Sequence, residues 1–189
     1  LADLRRQLAD LTDFDLLRAL NLVDRQDRLL VAGEVLLCRP DHDIIDILTR
    51  SAPGTEPSVR RIREPLVIAL PLTVQSVVRT LVPEIGHVAL LDGQEIALPD
   101  YSPQAVDEAI TNALVHRDWT SPQCVVIDHA PQAMRVKSPG GLPVGVARDR
   151  LLSTVSTPRN PALMSAMQQL GLVERASRGI DRMFREQIR

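Results

Sequence analysis

Between Ser102 and Trp119 the chain carries a segment that leaves little freedom of fold. Ser102 has the short hydroxyl side chain of a helix N-cap and Pro103 the fixed φ of a first helical residue, so the spacing predicts a helix that begins there. Val106, Ala109, Ile110, Ala113 and Leu114 recur at helical intervals and form a stripe that has to be buried. Glu108, Asn112 and His116 follow one another at successive turns, off the centre of that stripe, and Arg117 and Asp118 extend the ridge. One face belongs to a core. The other gathers a carboxylate, an amide, an imidazole and a guanidinium, which makes it a candidate site.

The elements around this helix follow from turn chemistry. Leu1, Leu4, Leu8 and Leu11 share a face, Thr12 with Asp15 predicts a capping box for a helix running to Leu20, and the apolar run Leu29 to Leu37 follows a polar turn. The pattern is already under way at Leu1, which raises the expectation of a preceding segment. Asp43 to Arg50 reads as a strand and Ser51 to Pro57 as a loop, the expected seam of the chain. Glu64 to Leu81 reads as a helix with Pro65 near its start and Pro71 as a source of a kink. His87 to Leu91 and Gln94 to Leu98 flank Asp92-Gly93, the signal for a two-residue type I′ hairpin. Cys124 to Asp128 and Met134 to Lys137 predict a second hairpin. Ser138 to Pro143 breaks regular structure, Asn160-Pro161 opens a helix that Gly171 ends, and Ser177 caps a last helix with Ile180, Met183, Phe184 and Ile188 on one face. The expected fold is α+β: a two-layer sandwich of a mixed or mostly antiparallel sheet with helices on one face. The expected division is a connector over 1–63 and a domain over 64–189.

Composition narrows the function classes. Apolar residues make up 44% of the chain, ample for a core, yet no run of about 18 apolar residues and no basic-then-apolar leader occurs, so a membrane span is not expected and the cytoplasm is. Cys38 and Cys124 are too few for a disulfide framework and read as thiols. The net charge of -2 gives no general argument for nucleic-acid binding, although arginines outnumber acids from Arg148 onward. Lys137 is the only lysine and lies between Val136 and Ser138, so a Walker-type Gly-Lys-Ser/Thr phosphate loop is absent and helicase action is not expected.

Four motifs occur in order: Asp107 to Trp119, Ser138-Pro139-Gly140-Gly141-Leu142-Pro143, Pro158-Arg159-Asn160-Pro161, and Arg178-Gly179-Ile180-Asp181-Arg182-Met183. Together they resemble the C-terminal, GHKL-like ATPase domain of bacterial RecG-related helicase-labelled proteins and of transcriptional regulators with an AlbA-like (Schlafen-type, divergent AAA) N-terminal domain. The resemblance spans roughly Glu64 to Arg189 and implies a Bergerat-type fold. It implies ATP and Mg²⁺ as ligands, with Asn112 holding the metal against the phosphates and Glu108 activating or orienting the attacking water. Gly140 and Gly141 correspond to a glycine box near the adenine, and Gly179 to a second one over the phosphates. The adenine-binding aspartate of active relatives is replaced by Ser138 or Pro139, and one glycine of the second box is replaced by Ser177.

His116, Arg117 and Arg159 are further candidates for contacts to the nucleotide, the two arginines through bidentate phosphate grips, with ion pairs inside the protein as the alternative for each. Two functional readings stay open. One is an ATP-binding, or ATP-hydrolysing, regulatory module of a DNA-associated protein, whose DNA contacts come from segments outside this chain. The other is a degenerate domain that serves a transcriptional regulator as a homodimerisation or scaffold unit and binds no nucleotide.

Overall fold

The computed structural model describes residues 12–52, 54–81, 85–89, 95–99, 102–130, 133–141 and 158–173. The first element among the described residues is α1 (Asp13–Ala19), whose capping box is formed as the sequence predicts: Thr12 Oγ1 accepts from Asp15 N at 3.2 Å and the Asp15 carboxylate accepts from Thr12 N at 3.2 Å. The apolar run beyond the polar turn becomes α2 (Val31–Leu37). The leucine stripe before Thr12 lies outside the described residues.

β1 (Ile45–Thr49) and β2 (Ser58–Ile62) pair antiparallel, β1 pairs parallel with β5 (Val125–Ala130), and β5 pairs antiparallel with β6 (Ala133–Lys137), so the sheet is mixed with the order β2-β1-β5-β6. Residues on both sides of the expected division at 63/64 therefore share one sheet. The period of two sorts the side chains. Ile45, Ile47, Val125 and Ile127 are buried, whereas Asp46, Leu48, Val126 and Asp128 are half-buried, and Arg50 Nε donates to Asp128 Oδ1 at 2.8 Å.

Three helices pack on this sheet, and Leu20, Leu22, Leu36, Ile44 and Ile62 join the same core. α3 (Leu66–Leu81) contributes Leu66, Ala69, Leu70 and Val77, α4 (Pro103–Val115) contributes Val106, Ile110 and Leu114, and α5 (Pro161–Gln169) contributes Leu163, Ala166 and Met167. Full burial of each large aliphatic side chain stabilises the fold by about 1.5–3 kcal/mol. The architecture is the expected α+β one, a mixed four-stranded open sheet with helices. α3 runs through Pro71, which cannot donate to the preceding turn, and buried Thr73 donates its hydroxyl to Ala69 O at 2.6 Å in the turn that follows.

Two strand features differ from expectation. β2 has no strand signal in the sequence, because Arg60 and Arg61 interrupt any apolar alternation; as an edge strand it needs only Ile62 inside, and Arg60 reaches Ser76 Oγ on α3 at 3.1 Å. β3 (Ile85–Ala89) and β4 (Glu95–Pro99) form the expected hairpin, a separate two-stranded sheet, but Ala89 pairs with Glu95. A two-residue Asp92-Gly93 turn closing Leu91 on Gln94 requires Ala89 opposite Ile96, so the ladder is one residue out of that register. The turn itself lies outside the described residues.

His129 is buried on β5, and its Nε2 lies 3.0 Å from Thr49 Oγ1. Burial pushes its imidazole below the ordinary value, opposed in part by Asp128. The folded chain then resists a proton that the unfolded chain accepts. The associated stability is present above the ordinary histidine range and lost as pH falls below it, and His116, lowered in the same direction, shares the effect. The urea midpoint is expected to fall between about pH 7 and about pH 5, with a smaller fall in His129→Gln; equal falls in both proteins would contradict this origin.

Candidate functional site

α4 starts as its sequence dictates. Ser102 Oγ accepts from Ala105 N at 3.4 Å and Pro103 occupies the first turn. Its buried face is rotated from the expected stripe: Thr111 and Val115 are buried, while Ala109 and Ala113 are half-buried at the edge. Thr111 tolerates this because its hydroxyl donates to Asp107 Oδ1 at 3.2 Å within the helix. On the ridge, Asn112 Nδ2 donates to Glu108 Oε1 at 2.9 Å. That bond orients both groups and leaves the Asn112 amide oxygen as the atom it can offer to a cation or a donor.

The C-terminal end of α4 brings three sequence motifs together. Ser138 Oγ donates to Ala113 O at 2.6 Å, and Asp118 N donates to Pro139 O at 2.9 Å, which seats the glycine segment on the helix end. Asn160 Nδ2 donates to Val115 O at 2.7 Å and to Arg117 O at 2.9 Å. Gly140 has φ of +102°, and a Cβ there would stand 3.0 Å from Asp118 Cβ and 3.3 Å from Arg159 Cζ. Its neighbour Gly141 carries no such restriction, since a Cβ there meets nothing within 4 Å. The close-approach requirement therefore rests on Gly140 alone.

The candidate cations are placed differently from one another. Arg117 is fully buried: its Nη2 donates to Ser121 O at 3.1 Å and Gln123 O at 2.8 Å, and its guanidinium lies 4.2 Å from the Trp119 ring centroid. Burial lowers its pKa. It fastens the turn that leads into β5. Its neighbour Asp118 accepts from Thr120 N at 3.0 Å and Thr120 Oγ1 at 2.6 Å, and these bonds hold its carboxyl below the usual range. Arg159 is half-buried, donates through Nη2 to Gly141 O, and places Nη1 4.0 Å from Asp118 Oδ2. His116 caps α4 and is half-buried, its imidazole pushed down by burial and by the charge of Arg159.

Glu108, Asn112 and His116 thus follow one another along one helix edge, Arg159 acts electrostatically on His116, and Gly140 packs against Asp118 and Arg159. Gly179 lies outside the described residues. Among the described residues no group of three His, Cys, Asp or Glu side chains is arranged to hold a metal ion. Sequence reasoning assigned Asn160 to the N-cap of α5. It does occupy that position, yet its side chain makes no cap bond there and crosses to α4 instead. No local signal announces this, since the partners are 43 and 45 residues away.

Asn160→Ala is expected to cost about 1–3 kcal/mol by leaving two helix-end carbonyls without their donor. Asn160→Asp should cost more, because a carboxylate then faces the same two carbonyls. Urea denaturation of the two variants and the parent checks both the size and the order.

Residues 123–188 match the family described as "Putative ATP-dependent DNA helicase recG C-terminal", a match that begins just after α4 and takes in the glycine segment and the Arg159-Asn160 motif. Among curated proteins none matches the chain significantly. The crystal structure of the DIP2311 protein from Corynebacterium diphtheriae superposes with a TM-score of 0.77 at 28% identity, over 94% of this chain and 36% of that one. The chain thus spans about a third of the length of that solved protein. In its C-terminal part this chain is similar to a RecG-related, GHKL-like domain.

Proposed function

We propose that this chain is an ATP-binding regulatory module, using Mg²⁺, of a bacterial DNA-associated protein or transcriptional regulator. The observation that carries the reading is the Asn112-Glu108 hydrogen bond on a helix whose end also seats the Gly140 loop and Arg159. The residues suit the ligands. The Asn112 amide oxygen is a hard donor of the kind Mg²⁺ takes, and Gly140 permits backbone approach that a side chain would block. Mg²⁺ held there would supply neutralisation of the charge developing on the phosphates. Asn112 would hold the metal and, through its Nδ2, fixes the Glu108 carboxylate, which would orient or deprotonate the attacking water. Ser138 keeps acceptor capacity toward a base amine after donating to Ala113 O, Arg159 and His116 would contact the phosphates, and Gly179 is the counterpart of the second glycine box. Arg117 supports the floor from within the protein.

A second reading, a scaffold or homodimerisation unit without nucleotide, draws support from how much of the site's polar capacity is spent internally. Arg117 serves two backbone carbonyls, Arg159 serves Gly141 O, and Ser138 serves Ala113 O. DNA contact in either reading falls to segments outside this chain.

Thermal shift with millimolar Mg-ATP separates the two. Stabilisation by ATP that Asn112→Ala abolishes supports the first reading, and no shift in the parent protein sinks it. In Glu108→Gln, ATP binding is expected to persist while any turnover falls by about a hundredfold or more, measured as released phosphate.

A further inference from the structure

A groove of about 520 Å³ runs between α3 and the start of α4. Leu70, Val74 and Val78 line it from α3, Pro103 and Asp107 from α4, and Leu172 where the chain leaves α5. Leu70, Val74 and Val78 stand four residues apart and form one ridge of α3, of the kind against which a second helix packs. The ridge rises out of the core, since Leu70 is buried and Val74 and Val78 are half-buried. Two turns of apolar helix surface therefore face outward.

The chain is steered toward this groove. Gly171, at φ of +71°, ends α5, and Leu172 N donates to Met167 O at 2.9 Å, which fixes the direction in which the chain leaves the helix. Leu172 then lines the groove. Residues 174–189 lie outside the described residues, and their sequence is that of an amphipathic helix, with Ser177 for the cap and Ile180, Met183, Phe184 and Ile188 on one face. Ile180 to Ile188 and Leu70 to Val78 are both eight steps along the chain. At 1.5 Å per residue each covers about 12 Å, so stripe and ridge match in length. Only Glu174, Arg175 and Ala176 separate Val173 from Ser177. A connector that short reaches about 10–14 Å and holds the stripe beside the groove at an effective concentration on the order of millimolar. Charge agrees with this pairing. Asp107 is the one charged side chain among the described residues of the lining, and the segment carries Arg175, Arg178, Arg182, Arg185 and Arg189 against Glu174, Asp181 and Glu186.

We propose that the groove between α3 and α4 is the docking site of the chain's own C-terminal segment 177–188, which lies in it as a helix with Ile180, Met183, Phe184 and Ile188 turned to the Leu70-Val74-Val78 ridge and Leu172. A second copy meets the same groove only at its bulk concentration, without the advantage of the connector. Docking in cis ties Gly179 to the helix that carries Glu108 and Asn112. It holds whether or not a nucleotide binds.

Hydrogen exchange of the full chain, read by mass spectrometry of its peptic fragments, tests the docking. Amides of 180–188 are expected to exchange about tenfold or more slowly relative to an unstructured peptide of the same sequence, and Val74→Gln is expected to remove most of that protection while β5 and β6 keep theirs. Exchange at the unstructured rate in the parent chain, which leaves the groove to another protein, overturns the proposal, and so does protection that Val74→Gln does not change. If circular dichroism shows Val74→Gln unfolded, the reciprocal variant decides. Phe184→Gln should speed exchange over 71–78 about tenfold, and an unaltered rate there rejects the docking. Dilution by about a hundredfold separates the two donors of the segment. Protection that falls on dilution assigns the groove to the segment of a second copy and overturns docking in cis, whereas protection independent of concentration upholds it.

Discussion

The structure around the site depends on how the C-terminal carbonyls of α4 are satisfied. A helix ends with carbonyl groups that have no donor within the helix, and a buried one without a partner costs about 1–3 kcal/mol. Here Ser138 answers Ala113 O, and one amide of Asn160 answers both Val115 O and Arg117 O. Those three bonds draw the glycine segment and the start of α5 to the same point. The site is a by-product of finishing a helix.

That arrangement then imposes its own demands. With the Gly140 loop seated against Asp118 and Arg159, only glycine fits at Gly140, and Arg159 holds the loop through Gly141 O. Arg117 is taken out of solvent to fix the turn into β5, which places β5 beside β1 and completes the sheet beneath α4. The ridge of α4 gains rigidity at both ends, from its cap at Ser102 and from this junction. The Asn112-Glu108 pair sits between them. The junction gathers donors and cationic groups, as the carbonyl-rich, partially negative C-terminal end of a helix attracts them.

Much of the fold was legible in the sequence where the signal is local. The Thr12-Asp15 box, the Ser102-Pro103 start and the Gly171 stop with φ of +71° act within a turn of where they are written. β2 was not legible, because an edge strand needs little apolar pattern and Arg60 and Arg61 conceal what there is. The register of β3 and β4 was also hidden, since Asp92-Gly93 names a turn while the ladder pairs Ala89 with Glu95 rather than with Ile96. Thr111 inverted a polarity argument: a hydroxyl that bonds Asp107 one turn back can be buried at small cost.

The sequence by itself determined the helix, its cap, and the polar ridge of Glu108, Asn112 and His116, because helical periodicity is a property of neighbours along the chain. Only the tertiary structure decided which arginine is a buried support and which stands at the opening. Arg117 and Arg159 are chemically identical, and their difference lies in contacts with carbonyls, a carboxylate and an indole. It also decided that β1 and β2 belong to the same sheet as β5 and β6, because strand pairing is chosen by burial of Ile45, Ile47, Val125 and Ile127 against helices supplied from elsewhere in the chain.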